Sequence, residues 1–208
     1  MKKNKSILLL SFALASQIFV SCEDSIDKVN SPIPYESIGG YDNSDEIASN
    51  HLVSKFSFDG NIEDSKGGIT GGTGTNVSYE TGVKGNAYRG SASSFISYEN
   101  VAGSVVNLKS ITISMWIKTD PHTGGAQSLF MLPKKTDFWG NIFTLIEGTG
   151  PATTMLMKNH IQRDVTPSIP WAGQFIEHGG TNVLPNMFGA WKHLVWTYNG
   201  VSSTYSLY

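Results

Sequence analysis

The chain has 208 residues, of which 22 are glycine and 15% are charged, and its formal net charge is −2 at pH 7. This length suits one domain with a leader and a linker, so a second domain is not expected. Without residues 1–21, 12 basic and 17 acidic residues remain, which is a formal charge of −5. The absence of a basic stripe argues against nucleic acid as a partner.

Residues 1–21 predict a signal peptide. A basic segment, Met1 to Lys5, precedes a mostly apolar stretch, Ile7 to Val20, that is shorter than the ~20 residues of a membrane-spanning helix. The stretch ends in Phe19-Val20-Ser21-Cys22, which resembles the lipobox of bacterial lipoproteins, and Cys22 is the only cysteine. The resemblance implies cleavage before Cys22 and a membrane anchor made by lipidation of its thiol. An ordinary secretory signal is the alternative.

Residues 22–50 predict a lipidated tether. The acidic residues Glu23, Asp24 and Asp27 follow the cysteine and resemble the signal that carries some lipoproteins to the outer face of the outer membrane. That resemblance implies a cell-surface location, and the alternative is that these residues are only a solvated spacer. The rest of the segment has no sustained periodicity and is interrupted by prolines and glycines, which is typical of a linker.

From residue 51 to residue 208 the sequence predicts an all-β domain. The clearest strand is Ile111 to Lys118, in which four apolar residues alternate with Thr112, Ser114, Trp116 and Lys118. Leu52 to Phe58 predicts the first strand, and the glycine-rich residues 67–74 predict a loop. Further strands are expected at 77–80, 87–89, 95–98, 128–132, 142–147, 155–159, 174–177, 192–198 and 204–208. Amphipathic helix periodicity over ten or more residues is missing from the mature chain.

Four blocks of this domain resemble laminin-G-like domains of the concanavalin A-like superfamily. They are the opening strand and turn at 52–65, Val83-Lys84-Gly85-Asn86-Ala87, the strand Ile111 to Lys118, and Gly189 to Gly200 with its Trp-Lys-His-Leu-Val-Trp-Thr-Tyr core. The resemblance implies a two-sheet antiparallel jelly-roll sandwich that commonly binds glycans or proteins. The same architecture also hosts glycoside hydrolases, so the fold does not decide the function.

The carboxylates favour binding over hydrolysis. Glycosidases need two carboxyl groups about 5–10 Å apart, and hydrolases of this superfamily place them on one strand as Glu-x-Asp-x-Glu or a near variant. This chain has no such run, and Glu147 and Glu177 each stand alone on their strands. We therefore assign no catalytic residue and expect carbohydrate binding without hydrolysis. A hydrolase or lyase of the same fold, and a protein-binding adhesion module, are the alternatives.

Calcium is a candidate ligand of the first turn. Asp59, Asn61 and Asp64 offer three oxygen-bearing side chains within six residues, and calcium takes six to eight oxygen ligands. We expect a structural calcium ion there. The alternative is that these residues form the turn, because Asp and Asn side chains bond their own backbone.

Two tryptophans are candidates for carbohydrate binding. Trp139 and Trp171 fall in loop contexts, where an exposed ring can stack on a poly- or oligosaccharide. Packing over one end of the sandwich is the alternative. The other three tryptophans, Trp116, Trp191 and Trp196, are assigned to the core, and His193 is expected on the sheet surface, bonded to a neighbour.

The end of the sequence predicts that the sandwich is C-terminally truncated. Asn199-Gly200 is a hairpin signal, and the strand after it stops at Tyr208. In the laminin-G-like pattern further strands follow and complete the two sheets. We therefore expect these 208 residues to be a fragment of a longer protein, with a minimal sandwich as the alternative.

Overall fold

A computed structural model describes residues 40–134, 141–148, 154–162, 173–178 and 184–208 of the chain, with 173–178 described by backbone alone. The chain forms two compact units, Met1–Leu52 and Val53–Tyr208. The described part of the first unit holds a 3₁₀ turn at Ser49–His51. It also holds a tight turn in which the Asn43 side chain accepts from the amide of Asp45 at 2.8 Å.

The second unit is all-β, as predicted. Its strands are β1 (Ile69–Thr75), β2 (Ser78–Thr81), β3 (Asn86–Arg89), β4 (Phe95–Val101), β5 (Ile111–Ile117), β6 (Gln127–Leu132), β7 (Ile142–Ile146), β8 (Thr154–Met155), β9 (Met157–Gln162), β10 (Gly173–His178), β11 (Leu184–Pro185), β12 (Lys192–Asn199) and β13 (Thr204–Leu207), and one helical turn, α1 (Gly103–Val106), lies between β4 and β5. Within the described ranges no helix has the length and apolar character needed to cross a membrane.

The strands pair in antiparallel sheets. Two larger sheets have the orders β10-β9-β7-β6 and β13-β12-β5, and the described residues also form the pairs β1-β4, β2-β3 and β11-β8. The hairpin predicted at Asn199-Gly200 is confirmed, because β12 pairs with β13 from Asn199 opposite Thr204. The Asn199 side chain accepts from the amide of Val201 at 2.9 Å and so closes the turn.

The two larger sheets share the main apolar core. Its buried members are Ile117, Ile146, Met155, Met157, Leu194 and Trp196, which come from β5, β7, β8, β9 and β12. Strand alternation explains why these residues of β5 and β12 are the buried ones, because every second residue of a strand points to the same face of the sheet. The predicted inward face of Ile111 to Lys118 is confirmed: Ile117 is buried, and Ile113 and Met115 pack against the cluster.

A buried polar group lies within this core. Asn159 of β9 is fully buried, and its side-chain oxygen accepts from the indole nitrogen of Trp196 and from the hydroxyl of Thr144. The bond from Trp196 joins β12 of one sheet to β9 of the other, and the bond from Thr144 joins β7 to β9 within one sheet. A buried amide oxygen without donors costs stability, so this arrangement favours one relative position of the two sheets.

The strand prediction at the start of the domain is wrong. Residues 52–58 form no strand, and Phe56 makes only an isolated bridge to Asp64. Phe58 has a positive φ of 53°, so the extended backbone conformation ends at this residue.

The glycine-rich residues 67–74 are also not a loop. Most of them belong to β1, in which Gly72 pairs with Tyr98 of β4. A Cβ atom at Gly72 would lie 2.8 Å from the Tyr98 ring, so glycine allows this ring to lie across the strand. The Tyr98 hydroxyl then donates to the carbonyl of Ile62 at 2.6 Å. The glycines reflect the close approach of a ring rather than a turn.

Candidate functional site

The outer side of the three-stranded sheet presents a row of polar and aromatic side chains. Register places Trp116 opposite His193, Ser114 opposite Val195, and Thr112 opposite Thr197. On the other edge of β12, Thr197 faces Ser206, and the amide and carbonyl of Val195 bond those of Tyr208. We call this surface the Trp116 face, and its members are Thr112, Ser114, Trp116, His193, Val195, Thr197, Ser206 and Tyr208.

Trp116 is the most prominent group of this face. Its side chain is 47% exposed, and its ring stacks on the imidazole of His193 with centroids 4.9 Å apart and planes 22° apart. The hydroxyl of Ser114 lies 2.8 Å from Nε2 of His193, so His193 is held from one side and supports the indole. A cross-strand pair of this kind stabilises a sheet and keeps one indole surface open to solvent.

The assignment of Trp116 to the core is therefore wrong, whereas Trp196 is buried with 2% exposure as predicted, and Trp191 is half-buried. The expectation that His193 is a surface histidine bonded to a neighbour is confirmed. The signal that identifies Trp116 was present in the sequence. It alternates with Ile113, Met115 and Ile117 and so must point to the other side of β5.

The Trp116 face offers two kinds of contact. The rings of Trp116 and Tyr208 are exposed, the latter at 73%, and Thr112, Ser114, Thr197 and Ser206 supply hydroxyl groups. Its eight members include no Asp, Glu, Lys or Arg. Such a surface can stack on the apolar side of a sugar ring and bond its hydroxyl groups. It carries no paired carboxylates for acid–base chemistry.

The residues predicted from the sequence to carry the lipid, bind carbohydrate or bind calcium are not members of the Trp116 face. Cys22, Trp139 and Trp171 lie outside the described residues, so the lipid anchor and the two loop tryptophans stay predictions. Asp59, Asn61 and Asp64 lie in a described turn, and their hydrogen bonds explain its shape.

Asp64 organises the turn. Its carboxylate accepts from the amides of Lys55, Lys66 and Ile69, each at 2.8 Å, and from the hydroxyl of Ser54 at 2.7 Å. Partial burial opposes ionisation, but these four donors prevail and hold the pKa of Asp64 below its usual value of 3.8. The carboxylate thus connects the segment before the turn to the start of β1.

Asp59 and Asn61 make separate contacts. Oδ1 of Asp59 accepts from the backbone amide of Asn86 at 2.9 Å and from its side-chain amide at 3.0 Å. Gly85 has a φ of 64°, and a Cβ atom there would lie 2.9 Å from the Asp59 carboxylate, so glycine permits this approach. Asn61 accepts from the amide of Glu63 at 2.9 Å. The Asn61 contact is of the kind that forms a turn, whereas the Asp59 contacts reach a residue 27 positions away and join the turn to β3.

A calcium ion bound by Asp59, Asn61 and Asp64 predicts a melting temperature that depends on calcium. A ligand that binds only the folded chain stabilises it by mass action, by about 2.7 kcal/mol at one hundred times its dissociation constant. Melting of the full chain with chelator, with added calcium and with magnesium as the matched control measures this. Coinciding melting curves of the wild type, with Asp59→Ala behaving like the wild type, would contradict the calcium site and leave the hydrogen bonds as the role of these residues.

Glu147 has a lysine as its partner in the described structure. Glu147, predicted to stand alone at the end of its strand, forms an ion pair with Lys158 at 2.9 Å, and both side chains are about a quarter exposed. No three His, Cys, Asp or Glu side chains converge as a metal site in the part of the chain that the structure describes.

No family model, curated protein or solved structure matches this chain.

Proposed function

We propose that this protein is a lipid-anchored, exported module that binds glycans at the cell surface without hydrolysing them. The observation that carries the proposal is the half-exposed ring of Trp116, held by His193 on a sheet face that has no charged member. Exposed rings on rigid strands are suited to sugars because they need no ordering before the ligand arrives. Trp139 and Trp171 are proposed as additional carbohydrate contacts from loops.

We also propose that the domain is a laminin-G-like jelly roll of the concanavalin A-like type. Contacts between the four blocks that resemble this family support the proposal. Asp59 of the first block bonds Asn86 of the second, and the third and fourth blocks supply β5 and β12, which pair along their length. The core shared by the two larger sheets is consistent with a sandwich.

The membrane location is tested at Cys22. We expect Cys22→Ser to move the protein from the detergent phase to the soluble fraction, because three acyl chains at about 0.8 kcal/mol per buried methylene anchor a lipoprotein durably. Phase partitioning and metabolic labelling with a fatty acid measure the change, and Ser21→Ala, which keeps a small residue before the cysteine, is the matched control. A Cys22→Ser protein that stays in the detergent phase and is still labelled would contradict the lipoprotein assignment.

Glycan binding is tested at Trp116. We expect Trp116→Ala to weaken retention by the bound polysaccharide at least tenfold, about 1.4 kcal/mol, because a central tryptophan is the kind of residue that dominates binding energies. Affinity electrophoresis of the detergent-solubilised full chain measures the retention. The matched control is Phe95→Ala, which removes an exposed ring, 57% accessible, from β4 in another sheet.

Further variants separate the contacts. Trp139→Ala and Trp171→Ala test the two predicted loop contacts in the same assay. Release of reducing ends from the polysaccharide by the purified protein would overturn the non-hydrolytic assignment.

A further inference from the structure

We infer that the Trp116 face takes a neutral polysaccharide whose chain lies diagonally across three strands, from Trp116 on β5 to Tyr208 beside β12. The inference rests on the proposed glycan binding and adds the charge class of the ligand and the direction of its chain. It follows from the register of the strands, the distribution of charge and the size of the face.

Register gives the direction. Trp116 pairs with His193, and Tyr208 pairs with Val195, which lies two residues further along β12. Two strand spacings and two residues of rise place the Cα atoms of Trp116 and Tyr208 roughly 12 Å apart. Two exposed rings at this separation can contact different sugar rings of one chain, which a single monosaccharide cannot do.

The surface between the two rings suits a chain that lies flat. The diagonal crosses β12 between His193, which is exposed, and Val195, which is half-buried, so its middle offers an imidazole beside a low apolar side chain. Thr112, Thr197 and Ser206 form the next row across the three strands. Their hydroxyl groups both donate and accept, which matches the hydroxyl groups on the edge of a sugar chain.

The charges favour a neutral ligand. The eight members of the face include no carboxylate, ammonium or guanidinium side chain, and residues 53–208, which form the unit that carries the face, hold 11 basic and 10 acidic residues. This nearly balanced charge gives no long-range attraction for a polyanion, and the face offers no row of cations to bind one. The exposed Lys118, two residues beyond Trp116, lies at the margin and provides a test of this point.

The area of the face favours a sugar chain over a folded protein. Three strand spacings by about five residues of rise give roughly 250 Å². A stable protein partner covers about 800 Å² on each side. A polysaccharide needs only the narrow track between the two rings.

The experiment compares neutral and acidic polysaccharides on the detergent-solubilised full chain. The neutral probes are mixed-linkage β-glucan, galactomannan and soluble starch, and the acidic probes are polygalacturonate, alginate and chondroitin sulfate. We expect retardation by at least one neutral probe and by none of the acidic ones. We expect the affinity for the neutral probe to change less than twofold between about 0.05 and about 0.5 M salt, because salt screens only interactions between charges.

Variants and chain length test the diagonal. Tyr208→Ala is expected to lower the affinity for the neutral polysaccharide at least threefold, and Trp116→Ala at least tenfold, with unfolding midpoints unchanged. Lys118→Gln and Phe95→Ala are expected to bind it like the wild type. Hexasaccharides of the retarding polymer are expected to bind at least tenfold more tightly than disaccharides by calorimetry.

The outcomes separate this inference from the proposed function. No retardation by any probe, or unchanged binding in Trp116→Ala, would overturn the proposed glycan site itself. Retention by acidic probes that Lys118→Gln abolishes would keep glycan binding and overturn the neutral class. Equal affinity for di- and hexasaccharides, or no effect of Tyr208→Ala, would keep a site at Trp116 and overturn the diagonal chain.

Discussion

Replacing Trp196 by alanine is expected to lower the free energy of unfolding by about 3–5 kcal/mol, the range for removing a large aromatic side chain from a core. Trp196 is 2% exposed and lies in the cluster shared by the two larger sheets. The substitution also removes the indole donor from the buried oxygen of Asn159. Chemical denaturation of the full chain, followed by circular dichroism, measures the loss.

Two further variants separate packing from hydrogen bonding at this position. Trp196→Phe keeps an aromatic ring but loses the donor and part of the buried volume, so we expect a loss on the order of 2 kcal/mol, smaller than that of Trp196→Ala. Trp116→Ala is the matched control on the opposite side of the sheet, and we expect it to stay close to the wild type because that ring is half-exposed. Equal effects of Trp196→Ala and Trp116→Ala would contradict the core described for these sheets.

Replacing Asp64 by asparagine is the second change with a large expected effect on stability. The amide keeps the shape of the side chain but turns one accepting oxygen into a donor, which then faces N–H or O–H groups. We expect a loss on the order of 2 kcal/mol at neutral pH, since Asp64 receives four hydrogen bonds that connect two segments of the chain.

The stability difference between the wild type and Asp64→Asn is expected to depend on pH. The pKa of Asp64 is lower in the folded chain than its usual value of 3.8, so the ionised carboxylate stabilises the folded state above that value. This contribution is lost as the pH falls from about 4 through the lower folded pKa. Denaturation of wild type and Asp64→Asn from pH 7 to pH 3 is therefore expected to show curves that converge at acid pH. Asp120→Asn, at an exposed position, is the control, and parallel curves for Asp64→Asn would contradict the role of the carboxylate.

Local sequence patterns were sufficient for most strands. β5 was predicted because four apolar residues alternate with polar ones from Ile111 onward, and alternation is a property of the strand itself. The β12–β13 hairpin was predicted from Asn199-Gly200, whose turn chemistry acts within a few residues. The all-β class follows from such local signals, and the structure confirms it.

Two segments needed information from distant residues. The glycines of β1 read as a loop because their role depends on the ring of Tyr98, which the strand pairing places over Gly72. Residues 52–58 alternate like a strand, yet Asp64 takes the amide of Lys55 and the chain turns at Phe58. In both places a contact with a residue elsewhere in the chain decides the conformation, and the strand propensity of the segment itself carries no information about that residue.

The sequence by itself determined the strand alternation of the domain, the turn residues, the lone cysteine after an apolar stretch and the side of β5 on which Trp116 lies. The tertiary structure decided what Trp116 meets there. Register across the sheet places His193 beneath its ring and Val195 beside Tyr208, although these residues are far from β5 in the chain. A one-residue slip in strand pairing would exchange the two faces. The site therefore depends on the pairing of β5 with β12, which the core packing around Trp196 holds in place.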